Sequence, residues 1–374
     1  MKRLVIVVLG LTVLFNIPSC DTTDNDKFRS DKTVSHEDAK VENVILLIGD
    51  GMGTAQFYAG MATAENSLTV EEFKHIGFQK TYSDDDFITC SAASGTAIAT
   101  GTKTNNGYIG MSPEEKDLKT ILEIAEQSGY GTGLVSTSAI VHATPAAFIA
   151  HNKSRNNYEE IAADFLKTDI DVFIGGGEKY FNQREDGKNL VDSLKNKGYR
   201  VGFDLDEFKG VDNGKLAVLT AEGHNPRYSE GRDDMLPDAT KIAVDVLDNE
   251  ENGFFLMVEG SQVDWGGHDQ DIDYVMEEIE DFENAIKVAK EYADKNENTL
   301  VIVTADHECG GMTLTGGDIE KGEVEVHFSS DGHTGVMVPV FAFGAGASEF
   351  QGVYENTDIF HKLKKLYGFE SSGK

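Results

Sequence analysis

The residues with the clearest chemical capacity are acids and histidines that follow apolar runs. Asp50 follows residues 44–48 in the order Ile-Gly-Asp-Gly-Met-Gly, Glu259 follows 254–258, and Asp306-His307 follows 300–305. Asp264 and His268 are four apart in Val-Asp-Trp-Gly-Gly-His, and His333 stands in Asp-Gly-His-Thr-Gly ahead of another apolar run. Imidazole and carboxylate together suit zinc and similar ions. A single acid after a strand serves as a cap or a turn residue. Several acids converging on one edge repel each other unless cations sit between them. The segment 89–101, Thr-Cys-Ser-Ala-Ala-Ser-Gly-Thr-Ala-Ile-Ala-Thr-Gly, is the most unusual. Its small residues favour a helix that neighbours can approach closely, with Ser91 near the N-terminus, where free N–H groups and the dipole attract anions. Ser91 is there as an N-cap, or as a nucleophile whose alkoxide a metal stabilises.

The elements that must position these residues alternate. Short apolar runs at 44–48, 133–136, 171–174, 216–219, 254–258, 300–303 and 338–343 read as buried strands. Helical periods lie between them at 118–128, 158–166, 237–247 and 274–292. Such alternation predicts an α/β fold, doubly wound, with a mostly parallel central sheet and helices on both faces. In such sheets ligands bind outside the carboxyl ends of the strands, which is where the acids stand. No linker or internal repeat interrupts 43–370, so 43–374 reads as one catalytic domain.

Composition narrows the function. The 374 residues include 33 Lys+Arg and 65 Asp+Glu, a formal charge of −32, which excludes nucleic-acid binding by a basic surface. With 40% hydrophobic and 26% charged residues the chain is globular, and 3 cysteines exclude a disulfide scaffold. Residues 1–20 have a basic start at Lys2-Arg3 and an apolar stretch at 4–17, shorter than a bilayer span, and read as a signal peptide rather than a membrane anchor. The ending Ile-Pro-Ser-Cys resembles a lipobox, with Pro18 an unusual member, and would leave Cys20 as a lipidated N-terminus. Residues 21–42 are polar and acidic and read as a tether. The expected location is therefore exported, periplasmic or in the cell envelope, held to membrane only through that lipid. Cys90 and Cys309 remain for the folded part, as one disulfide or two buried thiols.

Taken together the segments resemble the alkaline phosphatase family, in order from about 43 to 345. The resemblance is carried by Ile48-Gly-Asp-Gly-Met-Gly53, Cys90-Ser-Ala-Ala-Ser94, His142-Ala-Thr-Pro-Ala-Ala147 with His151 and Arg155 following, Val258-Glu-Gly-Ser-Gln-Val-Asp-Trp-Gly-Gly-His268, Thr304-Ala-Asp-His307 and His333-Thr-Gly335. Residues from about 175 to 235 match only loosely. The resemblance implies two Zn2+ and one Mg2+ per subunit. Asp264, His268 and His333 would hold the first zinc, and Asp50, Asp306 and His307 the second. Asp50, Thr144 and Glu259 would hold magnesium. Ser91 would attack a phosphate monoester, Arg155 would clamp two phosphate oxygens as a fork, and a phosphoserine intermediate would then be hydrolysed. Four carboxylates and an alkoxide bring five negative charges to this site. Three divalent ions and Arg155 bring seven positive ones, so a strongly acidic protein can still dock an anion.

Departures from the family pattern are informative. Cys90 replaces the usual Asp before the nucleophile, which removes an acceptor for Arg155 and predicts a more mobile guanidinium. His142 and Trp265 occupy variable positions: His142 is expected to ligate the third metal or touch its water shell, and Trp265 to shape the phosphate pocket or simply pack. Glu308-Cys309 replaces a histidine that some members carry two residues after Asp-His, which predicts that this supporting partner is missing. Sulfatases need a Pro and an Arg after the nucleophile, and Ser91 is followed by Ala92, Ala93, Ser94 and Gly95. A phosphodiesterase of the same superfamily is the nearer rival, and a non-catalytic acidic metal-binding lipoprotein the rival of another class. Family members are typically homodimers; only 25 residues separate His307 from His333, so a dimer with a smaller interface is expected.

Overall fold

The computed structural model describes residues 39–64 and 66–369. The signal peptide with Cys20 and most of the 21–42 tether lie outside the described residues. Val41 is already buried and the Glu42 N–H donates to the Asn298 carbonyl, so the packed chain begins just ahead of 43.

A ten-stranded sheet forms the centre. Its order runs Gly352–Glu355, His75–Lys80, Val338–Gly344, Thr299–Thr304, Asn43–Gly49, Phe254–Gly260, Gly131–Ala139, Val172–Gly176, Leu216–Leu219, Arg200–Gly202. Every pair is parallel except the two made by Val338–Gly344, which runs against both of its neighbours. Each apolar run expected to be a strand is one. The helices Ile121–Gln127, Tyr158–Asp164, Met235–Leu247 and Ile272–Lys295 match the expected helical periods to within a few residues.

Alternation within the Asn43–Gly49 strand shows why the sheet is covered twice. Val44, Leu46 and Ile48 enter one apolar core, while Ile45 and Leu47 enter the other. All five are fully buried. Each contributes roughly 1.5–3 kcal/mol relative to an exposed side chain, and a one-residue slip would exchange the two faces. The first core takes Ile359 and Leu363 of the Thr357–Tyr367 helix, and the second takes Val275, Ile279 and Phe282 of Ile272–Lys295.

The register of the four middle strands fixes the chemistry. Ile48 pairs with Glu259 on one side and with Thr304 on the other, and Ser136 pairs with Glu259. Asp50, Glu259, Asp306 and the chain after Ser136 therefore emerge together at the carboxyl edge. Among the described residues no helix is long and apolar enough to cross a membrane.

Candidate active site and metal centre

Ser91 is the first residue of the helix Ser91–Thr100, all ten residues of which are buried. Cys90, with extended backbone and no capping side chain, occupies the N-cap position, so the hydroxyl of Ser91 is free for another use. Small residues let this helix lie deep: a Cβ on Gly95 would stand 3.1 Å from the Ala147 Cβ. Gly101 ends it at φ 72°, a conformation in which glycine carries no Cβ penalty. Ser91 Oγ lies 3.3 Å from His307 Nε2 and 3.5 Å from Asp50 Oδ1.

Three groups of ligand-type side chains form at this edge of the sheet. Asp50, Asp306 and His307 form the inner one, with their ligating atoms all within 4.8 Å of one another and no exposure. Asp306 Oδ1 accepts from the Gly51 and His307 N–H groups at 3.2 and 3.0 Å, while Oδ2 is buried without a hydrogen bond. Asp264, His268 and His333 form a rim group. His268 Nδ1 and His333 Nδ1 lie 2.6 and 2.8 Å from the carbonyls of Asp331 and Thr89, to which they donate. The bare Nε2 atoms then face each other at 3.2 Å, with Asp264 oxygens 3.4 and 3.3 Å away. Groups this close share protons in the bare chain and a cation in a loaded one, and carbonyl-held imidazoles are the usual support of a metal ligand. The third group is Asp50, His142 and Glu259. Thr144 Oγ1 donates to Asp50 Oδ2 at 3.3 Å, and Ser136 Oγ to Glu259 Oε2 at 2.6 Å, leaving Glu259 Oε1 buried without a partner. The donor sets and their orphaned oxygens fit divalent metal ions.

The electrostatics of the bare chain point the same way. Burial raises Asp50 well above the usual carboxylate range, and Asp306, Asp264 and Glu259 add to it. Burial, then Asp264, pushes Asp306 up to about 7. Burial also favours the neutral form of Asp264, but hydrogen bonds from His268 and His333 outweigh it and hold this carboxyl well below its ordinary value. The Asp264 hydrogen bond raises His268 to about 9. Burial, aided by His333, drives His307 down. Without cations the cluster keeps protons that divalent ions would displace.

All expected site residues inside the described chain come together, with two corrections to their surroundings. Arg155 does have an orienting partner in place of the missing Asp: its Nη2 donates to His142 Nε2 at 3.1 Å. The supporting position after Asp-His is also filled, because the Cys309 thiol interacts with the Asp264 carboxylate. Cys90 and Cys309 are both free thiols. One residue was not anticipated. His224 sets its ring edge-on to Trp265 and His142, at centroid distances of 5.0 and 5.3 Å, and its Nδ1 accepts from the Ala139 N–H at 3.1 Å. It lies in a loop with no local motif, and no sequence signal marks it.

The family model described as Alkaline phosphatase matches residues 41–325 and 321–369. The structure of alkaline phosphatase from the Antarctic bacterium TAB5 superposes with a TM-score of 0.85 at 40% identity, over 89% of this chain and 99% of that one. A variant of that enzyme with a histidine changed to aspartate has Mg bound in its M3 site. Alkaline phosphatase 4 of Bacillus subtilis (strain 168) is 36% identical over 88% of this chain and 89% of its own length. Alkaline phosphatase of Escherichia coli (strain K12) is 31% identical over 90% and 88%.

Proposed function

Because this chain belongs to the alkaline phosphatase family, whose activity is the hydrolysis of phosphate monoesters, we propose that Ser91 is its nucleophile and that a phosphoserine forms and is then hydrolysed. The observation that carries this reading is the position of Ser91 Oγ, at the head of a buried helix and within 3.3 and 3.5 Å of His307 and Asp50. Both partners belong to the inner group.

In this reading Asp264, His268 and His333 would hold one Zn2+, and Asp50, Asp306 and His307 the other. Asp50, Thr144 and Glu259 would hold Mg2+, with His142 ligating it or touching its water shell. When bound, the ions neutralise the carboxylates and stabilise charge on the phosphoryl oxygens and the departing alkoxide. The chain does the rest. Asp50 orients the Ser91 hydroxyl. Arg155, steadied by His142, takes two phosphate oxygens in a fork that a monoester offers more freely than a diester. Ser91 gives up its hydroxyl proton to solvent as Oγ attacks phosphorus, the ester P–O bond breaks, and the leaving oxygen keeps the bonding pair and takes a proton from solvent to become the alcohol. Water then loses a proton to solvent as it attacks the same phosphorus from the vacated side, the P–Oγ bond breaks, Ser91 Oγ takes a proton back, and inorganic phosphate is released. Trp265 and His224 wall the pocket beside His142.

The decisive assay is hydrolysis of a chromogenic phosphomonoester with and without chelator, beside a diester and a sulfate ester. Metal-dependent turnover of the monoester far above the other two is expected. A diester preference would overturn the substrate class. We further infer a homodimer, which a monomer mass in light scattering would refute. We also infer export with lipidation at Cys20, which requires Cys20→Ser to move the enzyme out of the membrane fraction.

A further inference from the structure

Cys309 stands beside Asp264, and its backbone setting aims the sulfur at more than that carboxylate. Glu308-Cys309 pairs antiparallel with His333-Thr334, and the register sets Cys309 opposite His333 and Glu308 opposite Thr334. Cross-strand partners project from the same face. Glu308 turns with Thr334 toward Gln56, whose Nε2 donates to Glu308 Oε1 at 2.9 Å. Cys309 turns with His333 toward Asp264 and His268. Its backbone is pinned on both sides: the N–H donates to the Gly51 carbonyl at 3.0 Å, and its carbonyl accepts from Gln56 Nε2 at 2.8 Å. Gly267, immediately before His268, lets the helix turn close on it, since a Cβ there would stand 3.0 Å from the Cys309 Cβ.

The sulfur is consequently one of four donors. The ligating atoms of Asp264, His268, Cys309 and His333 all lie within 4.8 Å of one another. Cys309 has no exposure to solvent. Asp264 is 5% exposed, and its Oδ1 lies 3.3 Å from His333 Nε2. One oxygen, two imidazole nitrogens and one sulfur make a complete tetrahedral set, whereas a catalytic site keeps one position open.

We propose that Cys309 is a reserve ligand of the rim group: borderline ions are held by Asp264, His268 and His333 with one position open, and a thiophilic ion such as Cd2+ recruits the sulfur and closes the site. The preference follows from softness, because thiolate selects soft cations more strongly than carboxylate or imidazole does. On recruitment the S–H bond breaks heterolytically, the sulfur keeps the pair and donates it to the ion, and the proton goes to solvent. The inference builds on the phosphatase reading, but only for the identity of the rim group as a metal site. Its consequence is a built-in sensitivity: the ion that binds tightest would leave no position for substrate.

The test is titration of the metal-free full chain with Cd2+ alone, followed by sulfur-to-cadmium charge-transfer absorption. The wild type should develop the band, and Cys309→Ser should not, while binding Cd2+ at least about 10-fold more weakly. Cys90→Ser and Cys20→Ser should keep it. Circular dichroism and melting establish that Cys309→Ser is folded. A wild type saturated with Cd2+ but without the band, or an equal band in folded Cys309→Ser, overturns the proposal. Hydrolysis by the zinc- and magnesium-loaded wild type is measured separately. An active enzyme without the band removes the reserve ligand and leaves the phosphatase; an inactive one with the band does the reverse.

Discussion

The inner and rim groups use the same residue types at one edge of the sheet, yet the fold holds them by different means. Asp50 and Asp306 follow adjacent parallel strands whose register is fixed by two buried faces, and with His307 they are wholly buried. Asp264 and His268 sit on the eight-residue helix Gln262–Asp269, and His333 sits on a two-residue strand. The His268 side chain is 41% exposed and leans on a loop carbonyl at Asp331. Sheet register is cooperative with the whole core, whereas short loops and helix ends open locally at lower cost. In the proposed reading the inner group is thus a fixed reference against which the rim group would adjust to the ion and the leaving alcohol.

The largest expected effect tests whether the serine beside the inner group is the reacting atom. Ser91→Ala should lower turnover by at least about 10^3-fold, as for other nucleophile deletions, while both groups keep their metals. Steady-state rates beside metal analysis decide it, and a nearly unchanged rate would overturn the assignment. Chelation ranks next and probes the difference in rigidity directly. Dilute chelator should remove the rim ion first, with activity falling in step, and the inner ion should follow only later. Zinc plus magnesium should restore more activity than either ion alone. Loss of both ions at a single rate would show that the two groups open as one unit. The metal-free protein should also melt lower, because ligands that bind only the folded state stabilise it by mass action.

The same contrast explains how much was legible in the sequence. The inner group could be read because each ligand directly follows an apolar run, and parallel register brings run ends together without further information. The doubly wound sheet was legible for the same reason. The rim group could be named only because Asp264 and His268 are close in sequence and His333 lies in a recognisable segment. Its supports could not: the Asp331 and Thr89 carbonyls, the thiol of Cys309 and the ring of His224 reach the site through loop geometry. Cys309 is instructive, since reading it as a missing histidine overlooked that its backbone register places any side chain there against Asp264. The orientation of Arg155 by His142, thirteen residues away, likewise has no sequence signal.

A half-buried acid remote from both groups shows burial acting ahead of repulsion, the charges of Glu250 and Asp169 adding less. Asp171 precedes the Val172–Gly176 strand, at the opposite edge of the sheet from the site, and accepts from the Thr132 N–H at 2.9 Å. Burial raises it from 3.8 to about 6, against the Thr132 hydrogen bond. The folded pKa lies above the unfolded one, so the folded state binds the proton more tightly. The stability tied to this group is present below about pH 4 and is lost as pH rises through about 6. Against Asp171→Asn, the wild type should lose about 2 kcal/mol of relative stability between pH 4 and pH 8. Urea midpoints at both pH values measure it. A pH-independent difference would mean that burial alone does not perturb acids in this sheet, and the inner group's shifts would then rest on its neighbouring charges.

The smallest effect asks whether the rim is pliant on its pocket side as well. Trp265 lies between the rim ligand Asp264 and Gly266 on one helix, and its ring is braced edge-on by His224 and by His142 at 6.2 Å. His224 itself is anchored through Nδ1 by the Ala139 N–H. His224→Ala removes two aromatic contacts, each worth roughly 0.5–1.5 kcal/mol beyond its buried area, and leaves Trp265 and His142 freer to turn. Arg155 depends on His142 for its direction, so phosphate binding should weaken while the distance from Ser91 to phosphorus at attack is unaffected. KM should therefore rise about twofold to tenfold with kcat nearly constant. If the rim is the adjustable side, the rim ion should also dissociate faster from this variant and the inner ion should not. A fall in kcat with KM unchanged would instead tie His224 to the reacting centre, and faster loss of the inner ion would show that the two groups share one elastic frame.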